Sequence, residues 1–366
     1  MELIEKLPYQ YVRDSPTVKY YTDWRKFNDI LVAPKATRIL TPPIEVGNGL
    51  RIVLGVNDYL VTGNNNRVIV EGLVEGFESL VRIESRIQAI HFARLMSGVR
   101  ITIPPNTVIN EPVVIVSPAG NGFLAHHVVL DIGANSRIKL FLLDCSRGNP
   151  KTIIVEGKVA EDSNVEFYTI LLHGSAPIYH YKKILVSGNA SIEARILGLA
   201  GEMSHYREDY ELLGQRGGIE LYGSFIAGEG RIDSITNIVH GAAETKSTVL
   251  VRGVVLGNGL LVHRGVARVT PRAPWSSTSI DSLVSILSDN GRGYSVPMLE
   301  IQTGRVSQAR HSTAVMSIEE DQLFYLRSRG LSVEDGKKLL LEGIVGYSGV
   351  LEAIGYSVEE ILTFLY

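Results

Sequence analysis

A single cysteine, Cys145, stands in a chain of 366 residues. One thiol forms no internal disulfide and builds no zinc ribbon or finger. Excess charge is missing too: 36 Lys and Arg oppose 39 Asp and Glu, a formal net of −3. A chain so balanced carries no basic field for nucleic acid or an anionic membrane. No apolar run approaches the roughly 20 residues that span a bilayer. The opening MELIEKLPYQ is acidic and polar where a signal peptide is basic and then apolar, so a cytoplasmic protein is the expectation.

What is present is apolar bulk. At 45% apolar residues, the chain is long enough for one large core and a smaller appended unit. Residues 1–98 read as a mixed α/β unit ending in a helix. Pro8 and Pro16 break its opening, Tyr20, Tyr21, Trp24 and Phe27 anchor it to the body, and Asn64-Asn65-Asn66 is a turn. From Glu75 to Met96 the pattern is helical, with Ile83, Ile87 and Ile90 at i, i+4 and i+7. Gly98 ends it.

From Val99 the texture changes. Short β-rich runs follow one another, from Arg100–Ile103 through Val113–Val116, Ile138–Leu143 and Val165–Leu172 to Leu260–Val262. Their starts lie roughly 10–15 residues apart with Gly, Asn, Ser or Pro between them. Such gaps are too short for crossover helices, which excludes a doubly wound α/β sheet. A sandwich, a barrel and a solenoid all satisfy the spacing, and no strict short repeat chooses among them.

Residues 314–366 turn helical. Ser317-Ile318-Glu319-Glu320, Ser332-Val333-Glu334-Asp335 and Ser357-Val358-Glu359-Glu360 each read as a capping box, in which a serine hydroxyl and an acidic side chain satisfy each other's free amides. The first helix runs to Arg329, with Arg327 and Arg329 at its carbonyl-rich end and Gly330 beyond. The second passes through Leu339, Leu340 and Leu341, and the third closes in Phe364-Leu365-Tyr366. So short a segment holds no core alone and must lie on the β body or on a partner.

The stretch from Arg305 to Gly330, RVSQARHSTAVMSIEEDQLFYLRSRG, carries a likeness to a known family. FYLRSRG after an acidic EEDQ, His311 upstream, and Val296-Pro297-Met298-Leu299-Glu300-Ile301 before that resemble SufB/SufD proteins, scaffold subunits of the SUF iron–sulfur cluster assembly machinery. Weaker matches are Arg231-Ile232-Asp233, His240, Ser247 and His263-Arg264-Gly265. The resemblance implies a mainly β fold, with a right-handed parallel β-helix over 99–313 between the N-terminal unit 1–98 and the helical segment 314–366. It further implies a non-catalytic scaffold that pairs with a SufB-type paralogue or a second copy. The helical segment would dock a SufC-type ABC ATPase, with Leu323, Phe324, Arg327 and Arg329 as candidate contacts. The cluster would be transient and shared across an interface, or absent from the isolated chain. About four thiolates usually hold such a cluster, so one cysteine leaves most ligands to another chain, to sulfide or to non-thiolate groups.

His311 resembles the histidine of the SufD motif Cys-Ser-His-Gly-Ala-Thr, which faces the SufB cysteine across the subunit interface. Neutral imidazole suits iron and zinc. Without the likeness, His311 equally reads as a histidine hydrogen-bonded between strand and helix. The chain departs from the motif, with Ala309 for the cysteine, Arg310 for the serine and Ser312 for the glycine. SufB's glutamate after the histidine is missing, and its cysteine falls near Ile301. The chain therefore reads as SufD-like or as a divergent member.

Glu300, on the short strand Met298–Ile301, is a second candidate ligand or an orienting carboxylate beside His311 if the chain doubles back. Alternation with Leu299 and Ile301 equally makes it a solvated residue. Cys145 follows Phe141 and Leu143 at period two, the placement of a buried small hydrophobe, with Asp144 on the other face. His126 and His127 point to opposite faces and cannot chelate together, and His173 and His180 flank a proline turn without ligand spacing. Asp233, His240 and His263 are assigned to coil corners and inter-coil hydrogen bonds. Gly241–Ser247 imitates a phosphate loop but lacks the glycine before Lys246 and leads into a strand, so ATP hydrolysis belongs to another subunit. Asn189-Ala190-Ser191 is a sequon without a secretory context. Two further readings share the pattern. One is a β-helix carbohydrate-active enzyme, for which Asp131, Glu166, Glu193 and Asp233 lack paired spacing. The other is a structural or interaction protein that kept the fold and lost cluster binding.

Overall fold

The computed structural model describes residues 4, 6–9, 21–42, 44–46, 49–200, 202–317 and 328–363. About 51% of the chain is strand and 12% helix, arranged as a parallel β-solenoid of about 8 turns. One sheet stacks β5 (Val113–Ser117), β7 (Arg137–Ser146), β9 (Asn164–His173), β11 (Ser191–Ala200), β13 (Gly218–Ala227), β15 (Lys246–Val255), β17 (Ser277–Ile286) and β19 (Gln308–Ser317). The other stacks β4 (Ser97–Ile103), β6 (Leu124–Ile132), β8 (Lys151–Val159), β10 (Pro177–Val186), β12 (Met203–Leu212), β14 (Arg231–His240), β16 (Leu260–Val269) and β18 (Arg292–Ile301). Consecutive strands alternate between the sheets, so each coil gives one strand to each. The first coil is closed off by β1 (Leu50–Leu54), parallel to β5, with β2 (Tyr59–Thr62) antiparallel to β1 and β3 (Ile69–Gly72) antiparallel to β4.

Stacking in register puts like positions in columns. Leu140, Phe167, Ala194, Leu221, Val249 and Ile280 lie one above the next inside the solenoid, each at most 1% exposed. The corner before the first sheet's strands recurs as a left-handed residue at Asn106, Asn135, Asp162, Asn189, Arg216, Glu244 and Trp275, with φ between 53° and 62°. Asn and Asp tolerate this conformation best, and the later coils hold it with other residues. The coil period of 27 to 31 residues is therefore hidden from a search for repeated sequence.

Both outer faces are partly covered. The N-terminal elements, a 3-10 turn at Trp24–Phe27, α1 (Asp29–Val32) and α2 (Arg86–Ala93), bury Phe27, Ile30, Ile87 and Ile90 against Phe123, Ile154 and Tyr181 on the second sheet. The helix expected from Glu75 begins only at Arg86, capped by Ser85 and Gln88. Upstream, the Leu80 and Val81 amides bond the Glu156 carboxylate at 2.7 and 2.9 Å instead of helical carbonyls, and Ile83 is exposed.

Two of the three expected capping boxes are seen: Ser332 with Asp335 on α3 (Val333–Gly346), and Ser357 with Glu360 on α5 (Val358–Leu362). Between them lies α4 (Val350–Ile354). Ser317 instead ends β19, so the strand outruns the expected start of the helical segment, and residues 318–327, including Leu323, Phe324 and Arg327, lie outside the described residues. Arg329 is exposed. The helices bury Leu341, Val345, Val350 and Ile361 against Leu143, Ile170, Leu199 and Val254 on the outer face of the first sheet. No helix among the described residues is long and apolar enough to cross a membrane.

Arg195 fastens this layer. Its Nη1 donates to the Ser348 carbonyl at 2.8 Å, close to Gly349, whose φ of +67° and crowding against Arg195 leave no room for a side chain. Ser224 Oγ donates to the Ile344 carbonyl at 3.0 Å. Arg195→Ala is expected to speed amide exchange in α3 to α5 by about tenfold or more, since a hydrogen bond from a charged donor contributes about 1.5–3 kcal/mol. Exchange mass spectrometry checks this, and protection of β9 to β15 should not move.

Candidate functional site

Among the described residues the solenoid is closed at its start and open at its end. β18 is the edge of one sheet and β19 the edge of the other, each ten residues long. An uncovered edge offers a row of free amides and carbonyls to another chain. Tyr294, Ile301, Val315 and Met316 are large apolar residues left 37 to 45% exposed there.

His311 lies on β19, in a stretch that reads as irregular from its composition. It pairs in register with Ile280, which continues the buried column described above. The imidazole thus occupies an interior position that no further coil covers among the described residues, and it is exposed. Behind it the interior is polar. Ala309 follows Thr278, and Thr313 follows Ser282. His263 lies 3.0 Å from Ser282 Oγ and 3.4 Å from Thr236 Oγ1, while His240 contacts Thr245 and Ser247 at 2.8 and 2.9 Å. Burial pushes both imidazoles down, His263 to about 3 with Arg264 adding to the effect, and His240 to about 4. Both are neutral hydrogen-bonding groups at ordinary pH. Strands β12, β14 and β17 escape a hydrophobicity pass because hydroxyls, Glu208 and other polar groups take inward positions on them.

Glu300 does not join His311. It projects from the outer face of β18, where its carboxylate accepts from Arg268 Nε at 2.6 Å and from Gln302, while neighbouring Leu299 turns to the core. Those hydrogen bonds hold its carboxyl below the usual range. Cys145 lies in the apolar layer under the C-terminal helices, and burial pushes its thiol up to about 12. Burial of this kind disfavours the thiolate, the form that ligates metal. Among the described residues no group of three or more His, Cys, Asp and Glu is placed to hold a metal.

Asp144 proves to face the interior, and Cys145 the covered outer face, so both sides of β7 are buried. His173 and His180, which lack ligand spacing in the chain, meet on Asp144 Oδ2 at 3.2 and 3.0 Å. The signal available was parity: Ile138, Leu140 and Leu142 share the face of Asp144. His126 and His127 do point apart. His126 turns inward to Ser117, and His127 outward to Glu156 at 3.1 Å and His91 at 3.1 Å. His91 reaches Thr152 at 3.0 Å, so one buried polar chain ties α2 to the second sheet. Asp233 is also an outer-face group, beneath the N-terminal unit. It accepts from Arg264 Nε at 3.1 Å and from Thr22, and Arg264 with His205 outweighs burial to hold its carboxyl at about 2. The scattered carboxylates weighed for sugar chemistry are all paired: Asp131 with Arg100, Glu166 with Lys139, Glu193 with Arg195 and Asp233 with Arg264.

Comparison with known proteins agrees with this architecture. The model of the SUF system FeS cluster assembly SufBD core domain matches residues 114–344, more than half of the chain. An iron–sulfur cluster assembly SufBD family protein of Mycobacterium leprae is 28% identical over 244 residues, 64% of this chain and 56% of that protein. One from Mycobacterium tuberculosis is 27% identical over 277 residues, 71% of this chain and 68% of its own length. One from Staphylococcus epidermidis is 24% identical over 284 residues, 74% of this chain and 60% of its length. The chain thus matches between 56% and 68% of the length of these relatives. A β-solenoid of this form, matched across its stacked coils to the core-domain model, belongs to the SufBD family of the SUF iron–sulfur cluster assembly system.

Proposed function

We propose that this chain is a non-catalytic, SufD-like scaffold subunit for iron–sulfur cluster assembly. One observation carries the reading: His311 continues an interior column yet is exposed on β19, which with β18 forms the uncovered edge of the solenoid among the described residues. A partner that adds strands to β18 and β19 would bring its own groups against this imidazole. The cluster is cargo at that seam, and this chain's own donor set explains why it must be shared. Its one thiol is buried and protonated, so the imidazole is the group it offers, and thiolates and sulfide come from elsewhere. A SufB-type paralogue or a second copy fits the partner's place. The segment 314–366, whose helices α3 to α5 lie on the outer face of the first sheet, would couple the seam to a SufC-type ABC ATPase. Candidate contacts there are Leu323, Phe324, Arg327 and Arg329, and cytoplasmic assembly is the expected setting.

The reading is tested by anaerobic reconstitution with iron and sulfide, with and without a SufB-type partner. His311→Ala is expected to cut cluster content by about tenfold or more, the scale on which even supporting residues of metal sites act, while pairing of the chains persists. An unchanged yield in the variant would remove His311 from the site. The second reading, a scaffold that has lost cluster binding, draws on Ala309, Arg310 and Ser312 at the motif positions. It predicts no cluster with either partner.

A further inference from the structure

A groove of about 500 Å³ runs along the outer face of the first sheet, across the starts of β11 to β19. Register places Lys246, Ser277 and Gln308 in one column and Thr248, Ser279 and Arg310 in the next but one. The residues between them, Ser247 and Thr278, are buried in the interior, so the two columns face outward together. Lys246 and Arg310 stand two strands and two residues apart, about 12 Å between Cα atoms from ordinary strand spacing. Both line the groove together with Ser277 and Ser279.

Elsewhere on the outer faces, cations meet carboxylates across the ladder, as in Lys139–Glu166, Lys183–Glu211, Arg252–Asp281 and Arg268–Glu300. In this groove the pairing is absent. The in-register neighbours of Lys246 are Gly218 and Ser277, and that of Arg310 is Ser279. Among the described residues neither cation has an ion-pair partner. Two carboxylates line the far end, but Glu193 is neutralised by Arg195 and Glu220 accepts from the Tyr222 hydroxyl at 3.1 Å. The groove is thus polar at one end and cationic, with free hydroxyl donors, at the other.

We propose that this groove binds a phosphate-bearing small molecule, its anionic groups bridging Lys246 and Arg310 above Ser277 and Ser279. Two cations with hydroxyls between them match a diphosphate better than a single carboxylate, since each phosphate oxygen accepts a charge-assisted bond. The volume suits a nucleotide-sized ligand, whose hydroxyl and amino groups would fall toward Glu193 and Glu220. Arg310 is the chain neighbour of His311 on the edge strand β19, so the ligand would sit beside the seam without touching it.

Titration of the full isolated chain with inorganic pyrophosphate at low ionic strength tests the proposal by calorimetry, without iron, sulfide or a partner. It therefore fails or succeeds independently of the cluster reading. Saturable binding is expected, weakening as salt is raised. The Lys246→Ala, Arg310→Ala double variant should lose at least about tenfold in affinity. Lys183→Ala, on the other sheet's outer face and already paired with Glu211, should leave it unchanged. No saturable binding at millimolar pyrophosphate, or equal binding by the double variant, overturns the assignment.

Discussion

Asp144→Ala is expected to cost the fold about 3–5 kcal/mol, the loss typical of removing one partner from a buried ion pair. Lys151 Nζ lies 2.6 Å from Asp144 Oδ1, close in distance though not aligned as a hydrogen bond, and both side chains are at most 2% exposed. The ammonium also donates to the carbonyls of Ser117, Pro118 and Cys145 at 2.6, 3.0 and 3.0 Å. Burial alone would raise the Asp144 carboxyl, but Lys151 and the two imidazoles outweigh it and hold it well below the carboxylate range. Removing Asp144 leaves the lysine charged among carbonyl dipoles with no counter-ion, and strands His173 and His180 as well. The cost is that of a buried charge left without its counter-ion rather than of a lost contact. The double variant Asp144→Leu, Lys151→Met should therefore recover much of the stability, because an apolar pair of similar volume replaces an ion pair at little penalty. Urea midpoints of the single and double variants decide the matter. A single variant within about 1 kcal/mol of the parent would show that the charge is compensated elsewhere.

The second large effect is acid lability in a range where carboxylates are still ionised. Burial, helped by Lys151, drives His126 to about 3; burial and Arg264 take His263 to about 3, and burial takes His240 to about 4. His91 is pushed well below its ordinary value by burial and by His127. In the unfolded chain each titrates near 6.5. A folded-state pKa depressed in this way means the unfolded state binds the proton first. The stabilisation is full above about 6.5 and falls as pH drops toward the folded values. Each group contributes about 1.4 kcal/mol per pH unit in that window, so His126, His240 and His263 together cost about 4 kcal/mol by pH ~5.5. Asp144 and Asp233 depend on pH in the same direction but in a lower window. Their depressed carboxyls lose stabilisation only below about pH 4, and they do not mask the histidine slope. Denaturant unfolding at a series of pH values from 7 to 5 measures it. His263→Asn should lower the slope by about a third of the three-histidine share, whatever it does at pH 7. A flat profile over that range would mean the imidazoles are solvated in the folded protein.

Local signals were readable where they depend on neighbours a few residues away. Ser332 and Ser357 announce α3 and α5 because a capping box is complete within four residues. The β-rich texture after Val99 is equally local. Which face of a strand is interior was not readable, for a different reason. Period-two alternation separates Asp144 from Cys145 but does not say which side is interior, and on β7 both sides are covered, one by the opposite sheet and one by α3 to α5. β19 went unread as a strand because its inward positions, Ala309, His311 and Thr313, carry little apolar signal. Glu300 shows the same limit from the other side. It is near His311 in sequence, yet its strand belongs to the second sheet and its side chain leaves the solenoid toward Arg268.

Composition and short motifs alone settled that this chain carries one thiol, near-balanced charge, a β-rich body and a capped helical end, and they carried the likeness to SufB and SufD. The tertiary structure decided that coils of 27 to 31 residues stack in register, that His173 and His180 converge on Asp144, and that His311 ends an interior column at an open edge. The division has a physical cause. Parallel stacking sets each residue against one a full coil away, so what is buried, paired or left uncovered depends on neighbours that no local window of the sequence contains.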